Sequence, residues 1–253
     1  RPAKCQSQYD DLVARIGTIE HPTFLSYWTL RTGRGSSPRT VDDLRSLSSA
    51  DIVKFLTSWQ PPEPTWDGPT VDGLSAAFRS VVKTEPDRLS RDAVQFAELE
   101  PTYVLSLFEG LRQAVEAGAV LNWPPVLTMI SQIGDRRSQT RAMPLLRGPD
   151  LSMCSVPLLR LLRDGMQEEE SGLTLVLRRQ VWDAIAPLTD DAEPSSADAE
   201  VGASDLVTHS MNTTRGEAIH VVLQYALWTQ RQLQASSPDQ EITRLLSYPA
   251  RLR

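Results

Sequence analysis

The chain has 253 residues, of which 40% are hydrophobic and 6% aromatic, with a net charge of −6 and a pI near 5.2. That length can bury a sizeable core, and the acidic balance offers no overall attraction to nucleic acid or to an anionic membrane surface. Two distant cysteines, Cys5 and Cys154, exclude a disulfide scaffold and point to a reducing, cytoplasmic setting.

Apolar periodicity of the helical kind recurs along most of the chain. Tyr9, Leu12, Val13 and Ile16 form a first stripe. Ile52, Phe55, Leu56 and Trp59 form another, opened by Ser48 or Ser49 as N-cap and stopped by Pro61-Pro62. Leu74, Phe78, Val81 and Val82 repeat the pattern up to a break at Glu85-Pro86. Leu89, Ala93, Phe96 and Ala97 predict a further helix that ends before Glu100-Pro101. Val104, Leu107, Phe108, Leu111 and Val115 predict the next, closed by Gly118 just past its last turn. Trp123-Pro124-Pro125 then places proline in a first helical turn, ahead of Val126, Met129, Ile130 and Ile133.

Beyond Ile133 the glycines and prolines of 134–157 predict short helices separated by loops. Leu177, Val181, Trp182 and Ile185 restore a clear stripe. The acidic, Ala/Ser-rich stretch 190–204 lacks large apolar groups and reads as a flexible loop. Thr214-x-x-Glu217 reads as a capping box. The helix behind it is apolar on two faces, Ile219/Val222/Leu223/Ala226 and Val221/Tyr225/Trp228, which predicts a central, sandwiched position.

No segment shows strand alternation of usable length with hairpin chemistry. The expected class is all-α. Helix pairs around 40–59, 70–98, 101–133, 153–187 and 206–246 recur on the scale of roughly 30–40 residues used by HEAT, armadillo and TPR units, without an alignable consensus. An irregular α-solenoid of antiparallel helix pairs over 1–253 is the first reading, and a single irregular helical bundle the alternative. No apolar run reaches the ~18 residues of a membrane span, and no signal-peptide core is evident. The opening Arg1-Pro2, in place of methionine, suggests a piece of a larger protein.

The chemical inventory is sparse. P-loop, dinucleotide-binding and nucleophile-elbow patterns are missing, and Gly33-Arg34-Gly35 reads as an ordinary turn. His21, His209 and His220 do not cluster with cysteines. Glu217-x-x-His220 has the spacing of a di-iron helix but lacks the second copy and the extra glutamates such a centre needs. No metal, cofactor or catalytic residue is therefore assigned. Carboxylate runs such as Asp42-Asp43, Glu168-Glu169-Glu170 and Asp190-Asp191 read as solvated faces.

Arginine is the remaining signal, since the lysines are only Lys4, Lys54 and Lys83. Arg136, Arg137, Arg141, Arg147, Arg160 and Arg163 crowd one stretch and predict a basic ridge that meets an acidic partner or phosphates. No aromatic residues interleave with them to stack bases, so ordinary salt bridges are the competing reading. The stiff loop bracketed by Trp59 and Trp66 offers an aromatic anchor for a partner, although tryptophans more often cover the end of a helix pair.

Several of these segments resemble helical, HEAT-like repeat regions of large bacterial multidomain proteins, some linked to phage defence. They include His21-Pro22-Thr23-Phe24-Leu25, the Trp59–Trp66 loop, Pro101-Thr102-Tyr103-Val104, Trp123-Pro124-Pro125-Val126-Leu127 and Asn212 to Ala218 with Tyr225 to Trp228. The resemblance implies a scaffold or sensor region and no catalytic residue. The expectation is thus a non-enzymatic module that binds another protein or other domains of its own chain, with Arg136, Arg137, Arg141, Trp59 and Trp66 as contacts. The alternatives are an all-α enzyme using scattered carboxylates and nucleic-acid contact along the arginine ridge.

Overall fold

The computed structural model describes residues 35–62, 68–142, 150–191 and 213–236, all within one compact unit that begins at Gly35. The stripe Tyr9–Ile16, His21, His209, Trp66, Arg147 and most of 190–204 lie outside the described residues. Nine α-helices carry the described chain: α1 (Val41–Arg45), α2 (Ser49–Ser58), α3 (Val71–Thr84), α4 (Pro86–Arg91), α5 (Pro101–Glu116), α6 (Trp123–Ala142), α7 (Ser155–Gln167), α8 (Arg178–Thr189) and α9 (Thr214–Ser236). Among the described residues the only extended pairing is an isolated bridge between Ser36 and Pro69. The protein is all-α over these residues.

Local chemistry accounts for most boundaries. Thr40 and Asp43 form a reciprocal capping box at α1. Ser48 accepts the Asp51 amide at α2, and Thr70 accepts the Gly73 amide at α3. Gly118, with φ +83°, lies just beyond α5; its amide reaches Val115 O at 2.8 Å while the Ala119 amide reaches Ala114 O at 2.9 Å. That double closure is the Schellman arrangement, which needs a left-handed residue where glycine stands.

Packing then sorts the helices into neighbours two apart in the chain. α3 lies on both α1 and α5, α5 on α7, and α7 on α9, while α6 lies on α4, on the short 3-10 turn Ala93–Phe96 and on α8. Phe78, Val81, Val82, Leu107, Phe108 and Leu111 are fully buried along the α3–α5 seam, each large side chain contributing about 1.5–3 kcal/mol. Gly110 permits that close approach, because a Cβ there would sit 2.7 Å from Val82 Cβ and 2.9 Å from Arg79 O. The contacts along α5 and α7 advance together: Cys154 with Pro101 O, then Asp164 with Arg112. Arg163 meets Glu217 and Met166 O meets Arg231, which ties α7 to α9. Helices α5 and α7 therefore run in the same sense.

Tertiary contacts change several expected elements. The helix expected over 89–97 is split, with α4 ending at Arg91 and a separate 3-10 turn at Ala93–Phe96, whose Phe96 ring lies 5.7 Å from Phe78. Helix α6 does not weaken after Ile133 but continues to Ala142, and Arg136 and Arg137 bond to other elements along that extension. The Thr214–Glu217 capping box is not formed. Thr213 Oγ1 instead accepts the Gly216 amide, and Glu217 turns inward to two arginines.

Helix α9 is buried on one side only. Ala218, Val221 and Trp228 are enclosed, whereas Ile219, Leu223 and Leu227 remain 54%, 60% and 52% exposed. The predicted stripe of α8 shifts likewise: Val181, Ile185 and Leu188 are buried, and Trp182 lies outside against Tyr225 at 5.4 Å.

Candidate interaction groove between α6 and α8

Trp123 fixes the start of α6. Its ring is fully buried, its indole N–H donates to Ser171 O at 2.8 Å, and Gly165 of α7 leaves the room that the ring occupies. The Ser171 hydroxyl returns to Gly165 O at 2.6 Å. One tryptophan thus joins the turn before α6 to the turn after α7, which is the end-covering role that sequence reasoning gives tryptophan in general.

From that anchor α6 runs beside α8 with a groove between them, of about 460 Å³. The α6 wall is the face Leu127–Ser131–Gly134–Ser138, and Ala184 and Pro187 stand on the α8 side. Ile130, Ile133, Leu151, Leu158 and Leu188 lie at its floor and are themselves buried in the core. Its volume falls in the range of pockets that take a small ligand or a few apolar side chains.

Arg137 lines the groove and is ion-paired with the buried Asp191, which follows α8. The pair ties the two helices together. A buried carboxylate so close to a guanidinium is held by charge-assisted hydrogen bonding, and neither group is free to desolvate against a partner without loss. Cys154 also lines the groove. Burial pushes its thiol up to about 12, and its Sγ–H is directed at Pro101 O at 3.4 Å; a neutral, enclosed thiol is a poor nucleophile.

The described arginines of the predicted ridge bond to separate elements. Arg136 leaves the groove side, donating to Ala97 O and Leu99 O with Glu98 at 3.5 Å, so it closes the carbonyl end of the 3-10 turn. Arg163 and Arg160 converge on Glu217, at 2.6 and 3.8 Å. Arg141 falls in α6, and its side chain lies outside the described residues. Trp59 is half-buried at the end of α2, its amide donating to Phe55 O at 2.9 Å and its ring packed on the core; its loop partner Trp66 lies outside the described residues. Among the described residues, Arg136 and Arg137 bond to different elements.

Sequence reasoning missed Asp191 and Glu217, which read as loop acid and cap, and it missed the groove. Its one available trace was the small-residue spacing Ser131–Gly134–Ser138 in a helix otherwise rich in large residues. Among the described residues no three His, Cys, Asp or Glu side chains stand together as metal ligands, and no helix is long and apolar enough to cross a membrane. Comparison with known proteins finds no protein family that matches the chain, no matching curated protein and no matching solved structure.

Proposed function

We propose that this chain is a non-enzymatic helical-repeat module, an irregular solenoid of antiparallel helix pairs, that holds another protein or another part of its own longer chain in the α6–α8 groove. The observation that carries the reading is a groove of about 460 Å³ between two helices, with Ser131 and Gly134 on one wall and Gln180 and Ala184 on the other. Helices two apart in the chain pack together, α5 and α7 share one direction, and α9 lies on both α7 and α8, which is compatible with stacked helix pairs. In such arrays each pair buries one face on the next, and the surface between neighbouring helices is where partners bind. The inward-turned arginines support protein contact over phosphate contact, since a guanidinium engaged by a buried carboxylate releases few counterions on binding.

The test places a photo-crosslinking residue at Ser131 or Gln180, one on each wall, and at the exposed Thr57 of α2 as control. In cells of origin the wall positions should yield one discrete protein adduct that the control position does not. Adducts that are identical at all three positions, or none at either wall, would refute the groove as the contact surface.

A further inference from the structure

Helix α9 carries no Asp, Glu, Lys or Arg between Glu217 and Arg231, and a helix apolar on nearly every side is ordinarily buried. The described residues cover one side of it, enclosing Ala218, Val221 and Trp228. On the opposite side Ile219, Leu223 and Leu227, one above another at i, i+4 and i+8, are each more than half exposed, with Ala226 exposed beside them. An apolar stripe of this kind marks a contact surface. We infer that its occupant is the chain's own segment Pro238–Tyr248, an amphipathic helix that doubles back along the outer face of α9.

The sequence after α9 predicts that helix from local signals. Helix α9 ends at Ser236, and Pro238 disfavours helical backbone at Ser237. Ser237 then stands as N-cap, with Pro238 at the first helical position and Gln240 at the third, a Ser-x-x-Gln capping box. Asp239 and Glu241 put acid near the helix start, where the dipole favours it. Ile242, Leu245 and Leu246 follow at i, i+3 and i+4, Arg244 falls on the other side, and Pro249 closes the run. A connection this short sets two helices antiparallel, so the stripe returns along α9. At 1.5 Å per residue, Leu246 lies about 12 Å from the turn and Leu227 about 14 Å, which brings the two leucines level. Beyond Tyr248 an extended chain, at about 3.3 Å per residue, carries Leu252 to the level of Ile219, about 25 Å from the turn.

Tethering decides between this segment and a second copy. Three aliphatic side chains fall well short of the ~800 Å² per partner that stable pairing of two copies buries. A segment on a short tether, by contrast, is present at an effective concentration in the mM range. Neither stripe carries a charge, so no carboxylate or guanidinium is desolvated when they meet.

Disulfide trapping tests this on the full chain, in a Cys5→Ser background that leaves only the enclosed Cys154. Leu227→Cys with Leu246→Cys should close a disulfide within one chain at least about ten-fold faster than Leu227→Cys with Arg244→Cys, whose Cβ vectors point apart. Ile242→Glu with Leu245→Glu, added to both pairs, should bring the two rates together. Equal rates before that addition, or a preference that survives it, overturn the inference. Mixing the single variants Leu227→Cys and Leu246→Cys should give no disulfide between chains on the same timescale. Closure between chains as fast as within one, or rapid pairing of two Leu227→Cys chains, puts a second copy on the face and overturns the assignment to Pro238–Tyr248.

Discussion

Replacing Arg163 by methionine should destabilise the protein far more than replacing its partner Glu217 by methionine. The carboxylate is the buried member of the pair: the Glu217 side chain is 3% exposed, against 21% for Arg163 and 41% for Arg160. Without Arg163, the carboxylate keeps only Arg160 at 3.8 Å. Breaking a fully buried pair costs about 3–5 kcal/mol; the remaining arginine and partial exposure reduce this to roughly 2–3 kcal/mol. Without Glu217, both guanidiniums can extend to water on their aliphatic stems, and Arg163 still has Asp164 at 3.2 Å. The loss should then stay within about 1 kcal/mol. The double variant should resemble Glu217→Met alone, giving a coupling of roughly 2 kcal/mol. Urea unfolding followed by far-UV circular dichroism reads this directly. With m near ~2 kcal/mol/M, Arg163→Met lowers the midpoint by about 1 M. Equal effects of the two single variants, or simple addition in the double, would refute the assignment of Glu217 as the desolvated partner.

Gly165→Ala places a methyl group against the six-membered ring of Trp123, so it should cost about 1–3 kcal/mol and alter tryptophan emission; an unshifted urea midpoint would show that the ring is not wedged there. The alkaline limb of stability should carry Cys154 and Tyr103. Burial raises both, Cys154 from 9.0 to about 12 and Tyr103 from 10.0 to about 12. Each folded value lies above the unfolded one, so their stabilisation is complete below pH 9 and is lost as pH rises from 9 to 12, because the unfolded chain ionises first. Cys154→Ala should flatten that fall in urea midpoints, and an unchanged slope would count against the enclosed thiol. In a Cys5→Ser background, iodoacetamide at pH 8 should label Cys154 only as fast as the protein opens; labelling at the unfolded rate would show an accessible site.

Much of the helical plan is legible in the chain because its signals are local. Ser48, Glu85-Pro86, Pro101 and Gly118 stop or start helices through backbone chemistry that needs no neighbour. The site was less legible. Arg136 and Arg137 are adjacent, so on a helix they point in different directions, one to the Ala97 and Leu99 carbonyls and the other to Asp191. A run of arginines in sequence is therefore not a ridge in space. Glu217 illustrates the same limit, since a cap and a buried ion-pair acceptor carry the same residue at the same distance from a threonine.

By itself the sequence determined that this chain is helical, where most of its helices begin and end, and which stripe of each is apolar, since periodicity and capping act within a few residues. Only the tertiary structure decided which polar groups turn inward, that α9 keeps one apolar face exposed, and that α6 and α8 stand apart around a groove. Those outcomes depend on partners far away in the chain: Asp191 reaches Arg137, Glu217 reaches Arg163, and Trp123 fills the space above Gly165. Burial and pairing over such separations leave no period in the sequence, because contact is set by how whole helices stack.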